Sequence, residues 1–224
     1  MKDFNTLQSE YWHSQVQKER RDPRHPIVRA YVEPKLAYIA KFIQFNKSLK
    51  FLEVGAGNGY FSYYLDRLAD LTATDYSDVI LEHNPVAQKK IMDARRIEFV
   101  DKSFDVVFCH ALLHHIDKNE RAMVIQEMQR VSRGYVVSIE PNRNNLLMAL
   151  FGLLKKEERG SLDFSLDYLR RLFTAENMDI IHAGSFGLLT PNRMPIPQSL
   201  LALESKIFER SLWNGISNIV IAKR

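Results

Sequence analysis

The chain has 224 residues, 46% of them hydrophobic and 26% charged, and a net charge of +4. That is long enough for one α/β domain with a sizeable core, and the composition is neither that of a disordered nor of a fibrous protein. A single cysteine, Cys109, excludes an internal disulfide framework and a cysteine zinc cluster. The excess of positive charge is scattered as short pairs such as Arg20-Arg21, Lys89-Lys90, Arg95-Arg96, Lys155-Lys156 and Arg170-Arg171, several of them beside acids. Pairs of this kind read as solvated surface, whereas a nucleic-acid binder shows a basic stripe with stacking aromatics. Nucleic acid is therefore not the expected partner.

In chain order, the opening Met1-Lys2-Asp3-Phe4 puts an acid where a secretory leader would be apolar, so a cytoplasmic location is expected. Residues 9–21 and 34–45 read as helices, the second with Pro34 in its first turn, separated by the turn cluster Asp22-Pro23-Arg24-His25-Pro26. These make residues 1–47 a helical N-terminal cover. From residue 50 the pattern changes to strands at 50–54, 71–74, 89–92, 104–110, 135–139, 179–183 and 217–222. Helices fall between them at 60–68 and, most clearly, at 119–131, where Met123, Val124, Glu127, Met128 and Val131 recur at helical spacing. Alternation of this kind predicts a Rossmann-like, mostly parallel seven-stranded sheet with helices on both faces. The whole chain, 1–224, is expected to be one domain, with residues 48–140 as a ligand-binding core and 141–224 carrying insertions on the substrate side.

Between the first strand and its helix lies Glu53-Val54-Gly55-Ala56-Gly57-Asn58-Gly59. Alternate glycines permit positive φ and let a ligand approach the main chain, and the helix that follows offers free N–H groups. The dinucleotide fingerprint has its third glycine three residues after the second; here the interval is two, which argues against a dehydrogenase. Glu53 would repel phosphates and suits a ligand carrying an ammonium group and a further positive charge, as S-adenosylmethionine does. On an acid followed by Gly55-x-Gly57-x-Gly59, the chain resembles the class I S-adenosylmethionine-dependent methyltransferases.

The ends of the next strands extend this. Asp75 follows the second strand about 20 residues after the glycine turn, where an acid holds ribose hydroxyls in nucleotide folds, with Tyr76 beside it. The segment Ser103-Phe104-Asp105-Val106-Val107-Phe108-Cys109-His110, followed by His114-His115, resembles strand four of the type 11, ubiquinone-biosynthesis-like small-molecule methyltransferases. That resemblance implies a strand order of 3-2-1-4-5-7-6 with the last strand antiparallel. It further implies that Asp93 meets the adenine amino group, that Ala94 supplies a backbone N–H to the ring, and that an N-terminal helix covers the cofactor through Tyr11. The expected cofactor set is thus Glu53, Gly55, Ala56, Gly57, Asn58, Gly59, Asp75, Tyr76, Asp93, Ala94, His110 and Tyr11.

His110 and His115 are the candidates for contact with the reacting groups, and no catalytic base is assigned. His110 and His114 are four apart but lack a third ligand nearby in sequence, so no metal is expected. His114 and His115 read equally as packed or capping positions in the loop after the strand and as lining of the methyl-transfer pocket. As to the acceptor, His110-Ala111-Leu112-Leu113 stands where adenine-amino methyltransferases carry Asn/Asp-Pro-Pro-aromatic, and Cys109 lacks the preceding proline of cytosine carbon-5 enzymes. A small or lipid-like acceptor follows by elimination; the alternatives are methylation of RNA or protein, or a non-catalytic cofactor-binding subunit. Selection of the acceptor is expected in the wholly apolar run at residues 146–154, as core, lid or interface, and in the proline-restricted loop 186–197 with the amphipathic stretch 199–213.

Overall fold

The computed structural model describes residues 4–14, 21–188, 190, 204, 212 and 214–224. Seven strands form one sheet: β1 (Lys50–Val54), β2 (Asp70–Asp75), β3 (Lys89–Ile91), β4 (Phe104–His110), β5 (Ser132–Pro141), β6 (Asp179–Phe186) and β7 (Ser217–Lys223). Their order is β3-β2-β1-β4-β5-β7-β6, and β7 runs antiparallel to both its neighbours. This is the expected order and direction.

The central strands β1, β4, β5 and β7 are largely buried because both faces of the sheet are covered there, while the edge strand β3 is exposed. Alternate residues separate the faces. Phe51, Leu71, Val106, Phe108, Val137 and Ile219 pack with Tyr31, Leu36, Phe61 and Leu65 from helices α2 (Pro26–Ile39) and α3 (Ser62–Leu68). Leu52, Val54, Val107, Cys109, Val136 and Val220 pack on the other side, against α5 (Arg121–Val131) and α7 (Leu166–Ala175) through Val124, Met128, Leu169 and Phe173. The short helix α4 (Asp78–Leu81) follows β2, and α6 (Leu146–Leu154) follows β5.

Several boundaries differ from the sequence reading. The second N-terminal helix begins at Pro26, which takes the first-turn position, and Pro34 lies inside it. Its buried stripe, Ile27, Val28, Tyr31, Val32, Lys35, Leu36 and Ile39, runs unbroken past Pro34. Tertiary burial thus outweighs the hydrogen bond that a proline cannot donate. The first helix, α1 (Phe4–Trp12), ends well before Arg21, and residues 15–20 lie outside those described. Strands β5 and β6 are longer than read, since each continues along β7 from Lys223 to Ser217. Finally, α3 starts at Ser62, because the glycine turn extends through Gly59 before the helix can form. Most of the 186–197 loop and the amphipathic stretch 199–213 lie outside the described residues.

Candidate active site

A crevice of about 830 Å³ opens at the carboxyl ends of β1 to β4, with α1 along one side. Its floor is the glycine turn, where Gly55, Gly57 and Gly59 all have positive φ, at +73°, +53° and +88°. The end of β2 holds this turn. The Ala56 N–H donates to the Thr74 carbonyl at 2.8 Å, and the Gly57 N–H donates to Asp75 Oδ2 at 2.7 Å. The other carboxylate oxygen of Asp75 accepts from the Ser77 N–H at 2.9 Å. Asp75 is thereby fixed at the mouth of the crevice.

Glu53 is buried and accepts from the Ser62 hydroxyl at 2.6 Å. Burial raises its pKa, the Ser62 bond partly opposes this, and the negative Asp75 adds to it, so Glu53 stands at about 8. It is mostly protonated at neutral pH while nothing positive lies against it. Gly59 is the exception in the turn. It does not line the crevice; a Cβ there would meet Asn84 Oδ1 and Pro85 Cδ, each at 2.7 Å. Its glycine is required by packing behind the turn.

At the end of β3, Met92, Asp93 and Ala94 line the crevice. Both Asp93 oxygens are engaged by Arg95, with Nη2 to Oδ2 at 2.7 Å. Burial works against ionisation of Asp93, but the Arg95 hydrogen bonds and charge outweigh it and hold the carboxyl below its usual range. Arg95 also reaches Glu120 at 3.1 Å, which accepts from Asn5 of α1.

Beyond β4 the chain turns sharply, with Ala111 at φ 51°. His110 Nε2 lies 2.8 Å from the Tyr31 hydroxyl, and its ring rests on Phe61. Leu112 and Leu113 both donate their N–H groups to Glu140 Oε1, at 3.0 and 2.8 Å. Glu140 Oε2 accepts from His114 Nδ1 at 2.7 Å, while His114 Nε2 faces Glu158 at 3.4 Å. Burial alone would lower the pKa of His114; the hydrogen bonds and charges of the two glutamates overcome it and hold it up at about 9. His114, His115 and Glu158 bring three ligand-type atoms within 4.8 Å of one another. Glu158 is thus the third ligand-type group that the sequence does not place near the histidines, and both His114 nitrogens face carboxylates, Nδ1 on Glu140 and Nε2 on Glu158.

The α1 helix closes the site through Gln8. Its Nε2 donates to the Glu157 carbonyl at 2.6 Å, and its Oε1 accepts from Trp12 Nε1 and lies 2.9 Å from His115 Nδ1. Because that amide oxygen can only accept, His115 carries its proton on Nδ1. Trp12 stands edge-on to the His115 ring, and its carbonyl accepts from the Ser77 hydroxyl at 2.8 Å.

Glu53, Gly55, Ala56, Gly57, Asn58, Asp75, Tyr76, Asp93, Ala94, His110, His115 and Tyr11 therefore gather around one crevice. Trp12 of the N-terminal segment and Met148 and Phe151 of the apolar 146–154 run line it too; sequence reasoning missed Gln8, Arg95 and Glu158, which line it as well. Arg95 carried a local signal, two residues after Asp93. The others come from segments far away in sequence, and only the fold brings them in.

Comparison with known proteins agrees with this geometry. Residues 52–137 match the family described as methyltransferase domain. Over 93 residues the chain is 36% identical to a phosphatidylethanolamine N-methyltransferase of Cereibacter sphaeroides; the match takes in 37% of this chain and 44% of that protein, less than half its length. Among solved structures, a SAM-dependent methyltransferase from Archaeoglobus fulgidus superposes with a TM-score of 0.66 at 14% identity, covering 99% of this chain and 100% of the other. Magnesium protoporphyrin IX methyltransferase from Synechocystis PCC 6803, solved with bound SAM, gives a TM-score of 0.64 at 14% identity and covers 100% and 98%. At such identity the two structures share the fold.

Proposed function

We propose, from the premise that the chain belongs to the class I S-adenosylmethionine-dependent methyltransferases, that its crevice holds S-adenosylmethionine and presents the methyl group to a small or lipid-like acceptor. The observation that carries the donor assignment is the convergence of Glu53, Asp75 and Asp93 from three adjacent strand ends on one glycine turn. Three acidic side chains offer a pyrophosphate little. They suit a cationic amino-acid portion, a pair of ribose hydroxyls and an exocyclic amine.

In this reading the main chain of Gly55 to Asn58 and the carboxyl of Glu53 hold the amino-acid portion. Asp75, already oriented by the Gly57 and Ser77 N–H groups, retains acceptor capacity for the ribose. Asp93, held by Arg95, and Ala94 flank the adenine. The donor supplies an electrophilic methyl group on a positively charged sulfur. The chain's part is to align the acceptor and exclude water, which Trp12, Leu112, Met148 and Phe151 around the crevice favour. His110, bonded to Tyr31, and His115, held by Gln8, are placed to contact the acceptor, and either could take a proton from a hydroxyl or an ammonium group. The apolar wall and the likeness to a phosphatidylethanolamine methyltransferase both support an acceptor with lipid character.

Calorimetry with S-adenosylmethionine and with NAD on the same preparation tests the donor. Micromolar binding of the former is expected, weakened at least ~10-fold by Asp75→Ala through loss of charge-assisted hydrogen bonds. Tight binding of NAD without S-adenosylmethionine would overturn the reading. Release of S-adenosylhomocysteine with RNA or protein, and none with amine-bearing lipids or small molecules, would replace the acceptor.

A further inference from the structure

Helix α6 has its polarity reversed. A helix on a protein surface ordinarily turns polar residues outward. Here Met148 and Gly152 face inward, Gly152 lying so close to the following 3-10 segment (Lys156–Asp163) that a Cβ would come within 2.7 Å of Ser161 Oγ. The outward stripe is Leu146, Leu147, Leu150, Leu153 and Leu154, at one-face helical spacing, and each is between 44% and 80% exposed. Five exposed leucines on nine residues are not scattered surface apolarity.

The exposed charges that flank this helix in sequence are basic. Arg143 before the helix and Lys155, Lys156 and Arg159 after it are exposed. Of the two glutamates among them in sequence, Glu158 is buried against His114 and Glu157 is half-buried. What reads in sequence as a mixed-charge run therefore exposes chiefly its cations.

We infer that α6 seats the protein on an anionic bilayer, with the leucine stripe entering the interface and Arg143, Lys155, Lys156 and Arg159 meeting lipid headgroups. An apolar strip rimmed by cations is complementary to that surface. A second copy is disfavoured, because two-fold pairing of the stripe would bring like rims together. The placement also has a consequence for access. Met148 and Phe151, on the same helix, line the crevice, so an acceptor leaving the bilayer has one helix to pass.

Flotation of the full-length protein with vesicles tests this in the absence of donor and acceptor, so its failure would leave the acceptor reading standing and the reverse. Wild type is expected to float with vesicles containing phosphatidylglycerol and far less with phosphatidylcholine alone, in a salt-sensitive manner. The double variant Leu150→Glu, Leu154→Glu should lose at least ~10-fold in partitioning, with an unfolding midpoint close to wild type. Lys155→Gln with Lys156→Gln, both at exposed sites, should weaken the preference for phosphatidylglycerol. The inference falls if wild type stays unbound to anionic vesicles, or if both variants float like wild type. It falls in favour of self-association if wild type is a dimer that the leucine variant dissolves.

Discussion

Glu53 is where the site's electrostatics are most directly testable. Its carboxyl stands at about 8 chiefly because it is buried, so at neutral pH it is largely a neutral group hydrogen-bonded to Ser62. An ammonium group brought against it favours the carboxylate and drives the proton off. The affinity for S-adenosylmethionine should therefore rise with pH by roughly tenfold between pH 6.5 and 8 and level off above, since binding releases a proton that the free protein holds. Calorimetry in buffers of differing ionisation enthalpy would show that proton directly, and Glu53→Gln should flatten the pH dependence. A slope that survives in the glutamine variant would move the titrating group elsewhere. Cys109 offers the contrast: burial pushes its thiol up, out of any reactive range, and it is the inert core residue its apolar strand suggested.

Among the elements, α1 decides whether the crevice is an open groove or a covered site. Its hold on the core passes through Gln8, which bridges His115 and the Glu157 carbonyl, and through the Trp12 carbonyl on Ser77. Gln8→Ala would strand two polar groups unless the helix lifts and lets water in. The expected result is a fall in unfolding temperature of no more than roughly 5 °C together with about a tenfold loss of donor affinity. Scanning calorimetry and titration on one preparation would separate this from collapse of the core, which would lower the unfolding temperature far more than that. The strands that lead to Glu53, Asp75, Asp93 and His110 were legible in the sequence because each is a short segment with a polar residue at or just beyond its end, apolar in β1 and β4 though not in β3. The Gln8, Glu140 and Glu158 contacts to the histidines were not, because they join residues 26 to 107 positions apart and no local periodicity encodes them. The helix boundary misread at Pro34 belongs to the same class: a local rule yields when burial extends along the whole stripe.

At the scale of the molecule, two buried groups whose raised pKa values lie within a unit or two of neutrality set much of the dependence of stability on pH. Glu53 is raised from 4.5 to about 8 and His114 from 6.5 to about 9. Each binds its proton more tightly in the folded chain. Their contributions are fully present below the unfolded values and are lost as pH rises through the folded ones. Asp93, Asp105 and Glu127 are lowered and act oppositely, but their gain is complete once pH exceeds the ordinary carboxylate range. Lys35, buried and lowered to about 8, adds stability only as pH climbs above that value. Unfolding free energy should consequently peak near pH 5 to 6 and decline toward pH 8 by about 2 kcal/mol, or roughly 4–8 °C in Tm for a chain of this size. Thermal unfolding followed across that range would check it, in parallel with His114→Gln. The variant should be less stable at pH 6 and should lose much of the decline between pH 6.5 and 9. A wild-type profile that instead rises from pH 6 to 8 would mean that the Glu140–His114–Glu158 cluster does not hold its proton in the folded chain.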